Sequence, residues 1–359
     1  VPSMYKKYGK VISPMGCRAF LSPWYERGGM TPADEDDVPV YEGRFNCGAI
    51  SLNLPLIYLK AKALNADFYQ ELDYYLEMIR NLHKRTYAFL GNKMASINPL
   101  GFCFGGFYGG NLDFNQKLKE SDKILPSSTW SFGITALNEL QTAYNGKSLV
   151  EDGEFALNVM KYINDKTTAF KNEDHMLYAI YGTPAESLCG KQIKQMRSFV
   201  EKHVEELKMV GYDVQFNTDK QCYVIPNVCD RDYVSNSFHC GVWEDISPIV
   251  KQNLEDRFWN LHNGGKIQYC RYPVGYNIQA MKSIVLRGMD MGFYEGVNLS
   301  MNYCDDCGHE ELDMDDVCPV CGSKNITKID RMNGYLSYTR VHGDTRLNQA
   351  KMAEIHDRK

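Results

Sequence analysis

An α/β architecture, open or closed in its sheet, is the fold class this chain predicts, and three observations carry the prediction. Segments with helical periodicity, such as residues 154–170 and 190–210, alternate with short strand-like runs, "MLYAIYGTP", "DVQFNT", "GKIQYCRY" and "GFYEGVNLS", and that alternation is what α/β layering looks like in sequence. The 359 residues are 44% hydrophobic and 24% charged, enough for a large core and more than one structural unit. No internal repeat or low-complexity tract breaks the pattern.

Along the chain, residues 1–60 read as loops around one or two strands: "SPMGCRAFLSPW" is broken by Pro14, Gly16 and Pro23, and "ADEDDVPV" (33–40) is an acidic surface loop. "GAISLNLPLIYL" alternates and reads as a strand that runs into a helix at Pro55. A helix is predicted from Asp67, which caps with Gln70 and sets Phe68, Leu72, Tyr75, Leu76, Ile79 and Leu82 on one core-facing stripe. "FCFGGFYGGNL" (102–112) lacks the Gly-Lys-Ser/Thr ending of a phosphate loop and is expected to be a tight connection near the site. "SFGITALNELQTAY" (131–144) carries helical periodicity, as do 154–170 and 190–210.

Charge and composition exclude several functions. A net charge of −5 gives no basic field for a phosphate backbone, so no nucleic-acid partner is expected. No apolar run approaches the ~18 residues needed to span a bilayer, and the start has no signal-peptide pattern, so a cytoplasmic protein with no membrane association is expected. The chain opens on Val1 without a methionine, as a fragment would. Of twelve cysteines, eight are scattered and four are clustered, which fits a reducing compartment and one metal site better than a disulfide scaffold.

The clustered four are the strongest physical signal. Cys304-Asp-Asp-Cys307, ten residues, then Cys318-Pro-Val-Cys321 form two CxxC knuckles that set four thiolates at the corners of a tetrahedron, the closed geometry of structural zinc. Iron would suit the same thiolates. His309 is expected at the surface, because four cysteines already fill the site. The intervening loop carries Glu310, Glu311, Asp313, Asp315 and Asp316 and no lysine or arginine, so it would repel a nucleic-acid backbone. The ribbon is expected to brace the segment immediately C-terminal to it.

That segment is "RMNGYLSYTR", with Gly334 set among Met332, Asn333, Tyr335 and Leu336. By local sequence alone that glycine is a turn residue. Cys17, between Gly16 and Arg18 on a proline-bounded loop, is a candidate reactive thiol against the reading of a merely packed or exposed cysteine. For Cys47, beside Asn46, packing in a strand is favoured over a redox role. "YGTPAESL" (181–188) reads as a strand, Gly-Thr-Pro and a helix start, which suits phosphate binding at a helix N-terminus or an ordinary helix entry equally.

In this order, "PMGCR", "GRFNCGAISLNLP", "SFGITALNEL", "YGTPAESL", "YVSNSFH", the double CxxC and "RMNGYL" resemble the C-terminal portion of the anaerobic, class III ribonucleotide reductases, over essentially the whole chain. The resemblance implies a ten-stranded α/β barrel of the glycyl radical enzyme type around a finger-loop cysteine, with this chain its second part. Residues 1–300 would be the partial barrel, 301–327 the zinc ribbon with Cys304, Cys307, Cys318 and Cys321 as ligands, and 328–359 the glycyl-radical loop and tail. The barrel's first part, the nucleotide-regulatory region and at least one more barrel cysteine would lie upstream.

The resemblance also implies roles. Gly334 matches the radical position, Cys17 the finger-loop cysteine that becomes a thiyl radical, and Asn46 a polar residue near the substrate. Thr183, Pro184, Ala185 and Glu186 match the substrate-phosphate loop. The implied partners are a radical activase with an iron–sulfur cluster and S-adenosylmethionine, a ribonucleoside triphosphate, and formate or a small dithiol protein as reductant. A homodimer is expected for the complete enzyme. Two alternatives stand beside this: a glycyl radical enzyme of the formate-lyase type, and a non-catalytic zinc-ribbon interaction module.

Overall fold

A computed structural model describes residues 15–16, 18–271, 277–312, 314–332, 334–342, 344–345 and 347–359. Three parallel strands open the fold: β1 (Asn46–Asn53), β2 (Thr129–Thr135) and β3 (Leu177–Gly182), side by side in that order. Leu52 pairs with Ile134, and Phe132 with Ile180. All seven residues of β2 are buried, as in a central parallel strand covered on both faces.

That burial corrects one sequence expectation. A strand covered on both faces shows no alternation, so 131–144 reads as helical throughout. The structure instead puts "SFGIT" in β2 and starts the helix, α3 (Leu137–Asn145), only after it.

The crossovers are helical. β1 runs directly into α1 (Leu54–Ala63), with Pro55 in its first turn, and α2 (Phe68–Gly91) comes next. Asp67 caps α2 by accepting from the Gln70 N–H at 2.9 Å, and Phe68, Leu72, Leu76 and Ile79 are buried as the stripe requires. Leu82 departs from it: the residue is exposed, beside the edge of β1 that pairs with no described strand. α3 and α4 (Glu154–Asp174) join β2 to β3. The helix expected over 190–210 is two, α5 (Leu188–Lys202) and α6 (Val204–Met209), because the backbone leaves helical geometry at His203 (φ −131°, ψ 34°). Leu52, Phe132, Ile134 and Ile180 of the sheet pack with Leu72, Leu76, Met160, Ile193 and Met196 of the helices in one core.

After the small hairpin β4 (Gln215–Asn217) and β5 (Cys222–Val224) comes α7 (Pro248–Trp259). It leads to a second parallel pair, β6 (Gln268–Arg271) and β7 (Glu295–Asn298), joined through α8 (Ile278–Asp290). The segment between α7 and β6 runs beside β3: the Gly264 N–H donates to the Ile180 carbonyl at 2.7 Å and the Gly182 N–H to that of Gly265 at 2.8 Å. The α/β class is therefore met, with five parallel strands in two groups among the described residues.

The remainder is an antiparallel sheet of β8 (Met301–Cys304), β9 (Glu310–Leu312), β10 (Ile326–Arg331), β11 (Leu336–Val341) and β12 (Asp344–Thr345), in the order β12-β11-β10-β8-β9. The chain closes with α9 (Gln349–His356), capped by Asn348, which accepts from the Lys351 N–H at 3.0 Å. No helix among the described residues is long and apolar enough to cross a membrane.

Candidate active site and metal centre

β8 ends on Cys304 and a tight turn brings back Cys307; a second turn supplies Cys318 and Cys321. Both turns close alike: the Gly308 N–H donates to the Cys304 carbonyl and the Gly322 N–H to that of Cys318, each at 2.9 Å. The four sulfurs lie within 4.8 Å of one another, with Cys304 and Cys321 3.5 Å apart and Cys307 and Cys318 3.7 Å. Thiolates bound tetrahedrally at ~2.3 Å would stand ~3.8 Å apart, so this donor set fits zinc. His309 is not among the four; its Nε2 lies 3.4 Å from Glu311 Oε2.

The same sheet carries Gly334. Ile326 pairs with Cys304 at one end of β10, and Arg331 pairs with Leu336 at the other. Beyond Arg331 the Met332 N–H donates to the Tyr335 carbonyl at 2.9 Å, so half-buried Gly334 sits in the turn of the β10–β11 hairpin. Asn333 lies outside the described residues. Five residue rises of β10, ~17 Å of strand, connect the metal site to this turn.

Cys17 also lies outside the described residues, while its surroundings do not. Met15 and Ala19 exchange two backbone hydrogen bonds, at 2.7 and 3.1 Å, and Gly16 takes φ +55°, a left-handed value glycine adopts without strain. Arg18 is fully buried, and its Nη1 donates to the Gly182 carbonyl at 3.2 Å. Its own carbonyl accepts from the Lys266 N–H, and the Phe20 N–H donates to the Gly264 carbonyl. Farther on, the Ser22 N–H donates to Thr129 Oγ1 at 3.0 Å. The segment is thus fastened near the end of β3 at Arg18 and near the start of β2 at Ser22.

Asn46 opens β1. Its Nδ2 donates to Ser131 Oγ at 2.7 Å and its Oδ1 accepts from the Gly48 N–H at 2.7 Å. Buried Arg44, donating from Nε to the Ser127 carbonyl at 3.0 Å, fixes the approach to it. The glycine-rich connection packs here: the Tyr108 N–H donates to the Gly43 carbonyl, and the Phe107 ring lies 5.0 Å from that of Phe45. Cys47 packs against the core, and burial pushes its thiol up to about 11, a poor thiolate.

Thr183 to Glu186 lie just past β3, at the opposite end. Thr183 Oγ1 is 2.7 Å from Ser51 Oγ; both crowd Gly133, where a Cβ would meet them at 2.5 and 2.2 Å. Ser51 lies five residues along β1 from Asn46, ~17 Å of strand, so this loop and Asn46 flank the sheet rather than touch. Ser187, at the N-cap of α5, makes no side-chain cap. Sequence reasoning missed a cluster here: Ala136, Ala185 and Ser237 all take left-handed φ, between 51° and 59°. The Ala136 and Leu137 N–H groups donate to the carbonyls of Ser235 and Ser237, which draws the 235–237 segment over the end of β2. Such strain gathers at sites that need it, and only "YVSNSFH" hinted at the segment.

A protein-family model described as anaerobic ribonucleoside-triphosphate reductase matches residues 1–359. The chain is 28% identical over 343 residues to the anaerobic ribonucleoside-triphosphate reductase of Escherichia coli (strain K12), covering 92% of this chain and 44% of that protein. It is 25% identical over 364 residues to the enzyme of that name from Enterobacteria phage T4, covering 97% and 52%. A solved structure named anaerobic ribonucleotide reductase superposes with a TM-score of 0.58 at 17% identity, over 88% of this chain and 45% of that one. The chain spans about half the length of these relatives.

Proposed function

From the premise that this chain belongs to the anaerobic ribonucleoside-triphosphate reductase family, we propose that it forms the radical-bearing part of such an enzyme, acting with the part its longer relatives have in addition. The observation that carries this is the single strand β10, which leads from the four-cysteine site to the turn that holds Gly334. Zinc bound to the four thiolates would be structural: it would lock the knuckles and stiffen the sheet that presents the turn.

In this reading, an activase with an iron–sulfur cluster and S-adenosylmethionine removes a hydrogen from the Gly334 Cα. With no Cβ, that carbon flattens without strain and shares the unpaired electron with the flanking amides. Gly334 then takes the hydrogen of the Cys17 thiol, and the thiyl takes the 3′ hydrogen of the ribonucleotide. The 2′ hydroxyl leaves as water. Two electrons and two protons come from a small dithiol protein, or from formate together with a solvent proton. The 3′ hydrogen returns from Cys17, and the thiyl so left takes its hydrogen back from Gly334. Asn46, held by Ser131, orients a substrate hydroxyl; Thr183 to Glu186 and the uncapped start of α5 receive the phosphates. Exclusion of solvent protects the radicals from diversion. The assembled protein is proposed to work as a homodimer in the cytoplasm.

The experiment is anaerobic turnover of a ribonucleoside triphosphate by the assembled, activated enzyme, with Gly334→Ala as its pair. Deoxynucleotide formed by the first and not by the second supports the reading. Formation by both overturns it. The formate-lyase and interaction-module alternatives are not favoured by the family match.

A further inference from the structure

Arg358 lies just beyond α9, and its side chain is buried, with the residue 6% exposed. Its Nε and Nη2 donate to Glu354 Oε1 and Oε2 at 3.1 and 2.8 Å, a forked pair. The other sides of the guanidinium reach the strand that leads to Gly334: Nη1 donates to the Arg331 carbonyl at 2.6 Å and Nη2 to the Met332 carbonyl at 3.1 Å. Glu354 is also 2.7 Å from Lys351 Nζ, and both of these residues are 1% exposed. The Arg358 carbonyl accepts from Arg271 Nη1 at 2.7 Å, and the Lys359 N–H donates to the Val242 carbonyl at 3.0 Å. Arg331 Nε donates to the Val297 carbonyl at 2.6 Å, so the end of β10 is tied to β7 as well.

We propose that Arg358, oriented by Glu354, is the positioning residue that fixes the Gly334 turn against the parallel strands β6 and β7. The proposal rests on the reading of Gly334 as the radical site. Hairpin tips are ordinarily among the mobile parts of a fold, and a radical that must pass to one thiol cannot wander: a misplacement of ~1 Å costs about 100-fold in such a transfer. Burying three charged side chains is a poor way to gain stability alone, since apolar groups of the same volume often do as well. A buried fork aimed at two consecutive carbonyls makes sense as a device for holding a backbone in place. Because the grip is on main-chain oxygens, it does not depend on which side chains residues 331 and 332 carry. Lysine could not replace it, having one nitrogen where the fork uses three.

The test uses the assembled enzyme with Arg358→Lys, and Glu354→Gln as a milder variant should the first fold poorly. Two readouts are taken at matched zinc content: amide hydrogen exchange over residues 332–336, and the electron paramagnetic resonance signal after anaerobic activation. Exchange at Met332 and Tyr335 is expected to rise about tenfold, in line with the loss of charge-assisted hydrogen bonds, and turnover per radical to fall about tenfold or more. Unchanged exchange in both variants overturns the latch, whatever Gly334 does. Faster exchange with undiminished turnover per radical overturns the positioning role. If the unsubstituted enzyme gives no radical, it is the reading of Gly334 that fails, and the positioning role, which depends on it, falls too, while the exchange arm still decides whether Arg358 holds the turn.

Discussion

The Met332 N–H donates to the Tyr335 carbonyl at 2.9 Å and so closes a turn around Gly334. Three residues before the glycine, Arg331 is still paired with Leu336 in the ladder that runs back to Cys304 through β10 and β8. Gly334 is therefore a turn glycine by geometry and a radical candidate by family. The two roles are compatible: glycine is at home in a turn, and the radical reading calls for a residue without a Cβ.

The first prediction concerns the metal. The purified chain binds one zinc ion, and Cys318→Ser loses most of it, because three thiolates no longer close the tetrahedron. Removing the metal loosens residues 301–341 before the parallel strands, since the ion supplies much of the folding energy of such a ribbon. Metal analysis together with amide exchange checks both halves. Unchanged metal content in Cys318→Ser would refute the ligand assignment.

The second concerns the relay. In the assembled, activated enzyme Cys17→Ser keeps the radical signal of Gly334 and forms no deoxynucleotide, because an O–H bond is too strong to pass its hydrogen to the glycyl carbon. Product analysis beside the spin signal decides this. Turnover retained in that variant would remove Cys17 from the mechanism.

The third concerns pH. Burial pulls His83 and His239 down to about 4 and His262 to about 3, against an ordinary ~6.5. Each stays neutral in the folded protein while it would charge in the unfolded chain, so the stability they permit is full above ~6.5 and is lost as pH falls toward 4. Glu255, held below its ordinary ~4.3 against desolvation by the Lys251 ammonium 2.6 Å away and by a hydrogen bond from the neutral His239 ring, acts in the same sense at lower pH. Melting temperature is expected to decline from pH 7 to pH 5, and His262→Phe to flatten that slope. A melting temperature that rises on acidification would contradict the burial of these groups as neutral imidazoles.

Much of this fold is legible in sequence where a local rule decides the outcome. Pro55 and Asp67 start helices because one lacks an N–H that would be orphaned anyway and the other accepts a spare one. The four cysteines are legible because chelation imposes a spacing. β2 was hidden because double burial erases alternation, and the break at His203 because no proline or glycine marks it. Arg18 and Arg358 were hidden for another reason: both act on backbone carbonyls far away in sequence, at Gly182, Arg331 and Met332. No pattern in a single sequence records such a partner.

The most direct test of the central claim is the electron paramagnetic resonance spectrum of the anaerobically activated, assembled enzyme, read before and after air. A radical on Gly334 gives a doublet whose splitting collapses when glycine carries α-deuterium, and oxygen added to that carbon then cuts the chain at residue 334. Gly334→Ala shows neither the signal nor the cut while keeping its zinc. An activated sample whose signal ignores α-deuteration, or whose chain survives air intact, would contradict the account and leave Gly334 as the turn of a hairpin.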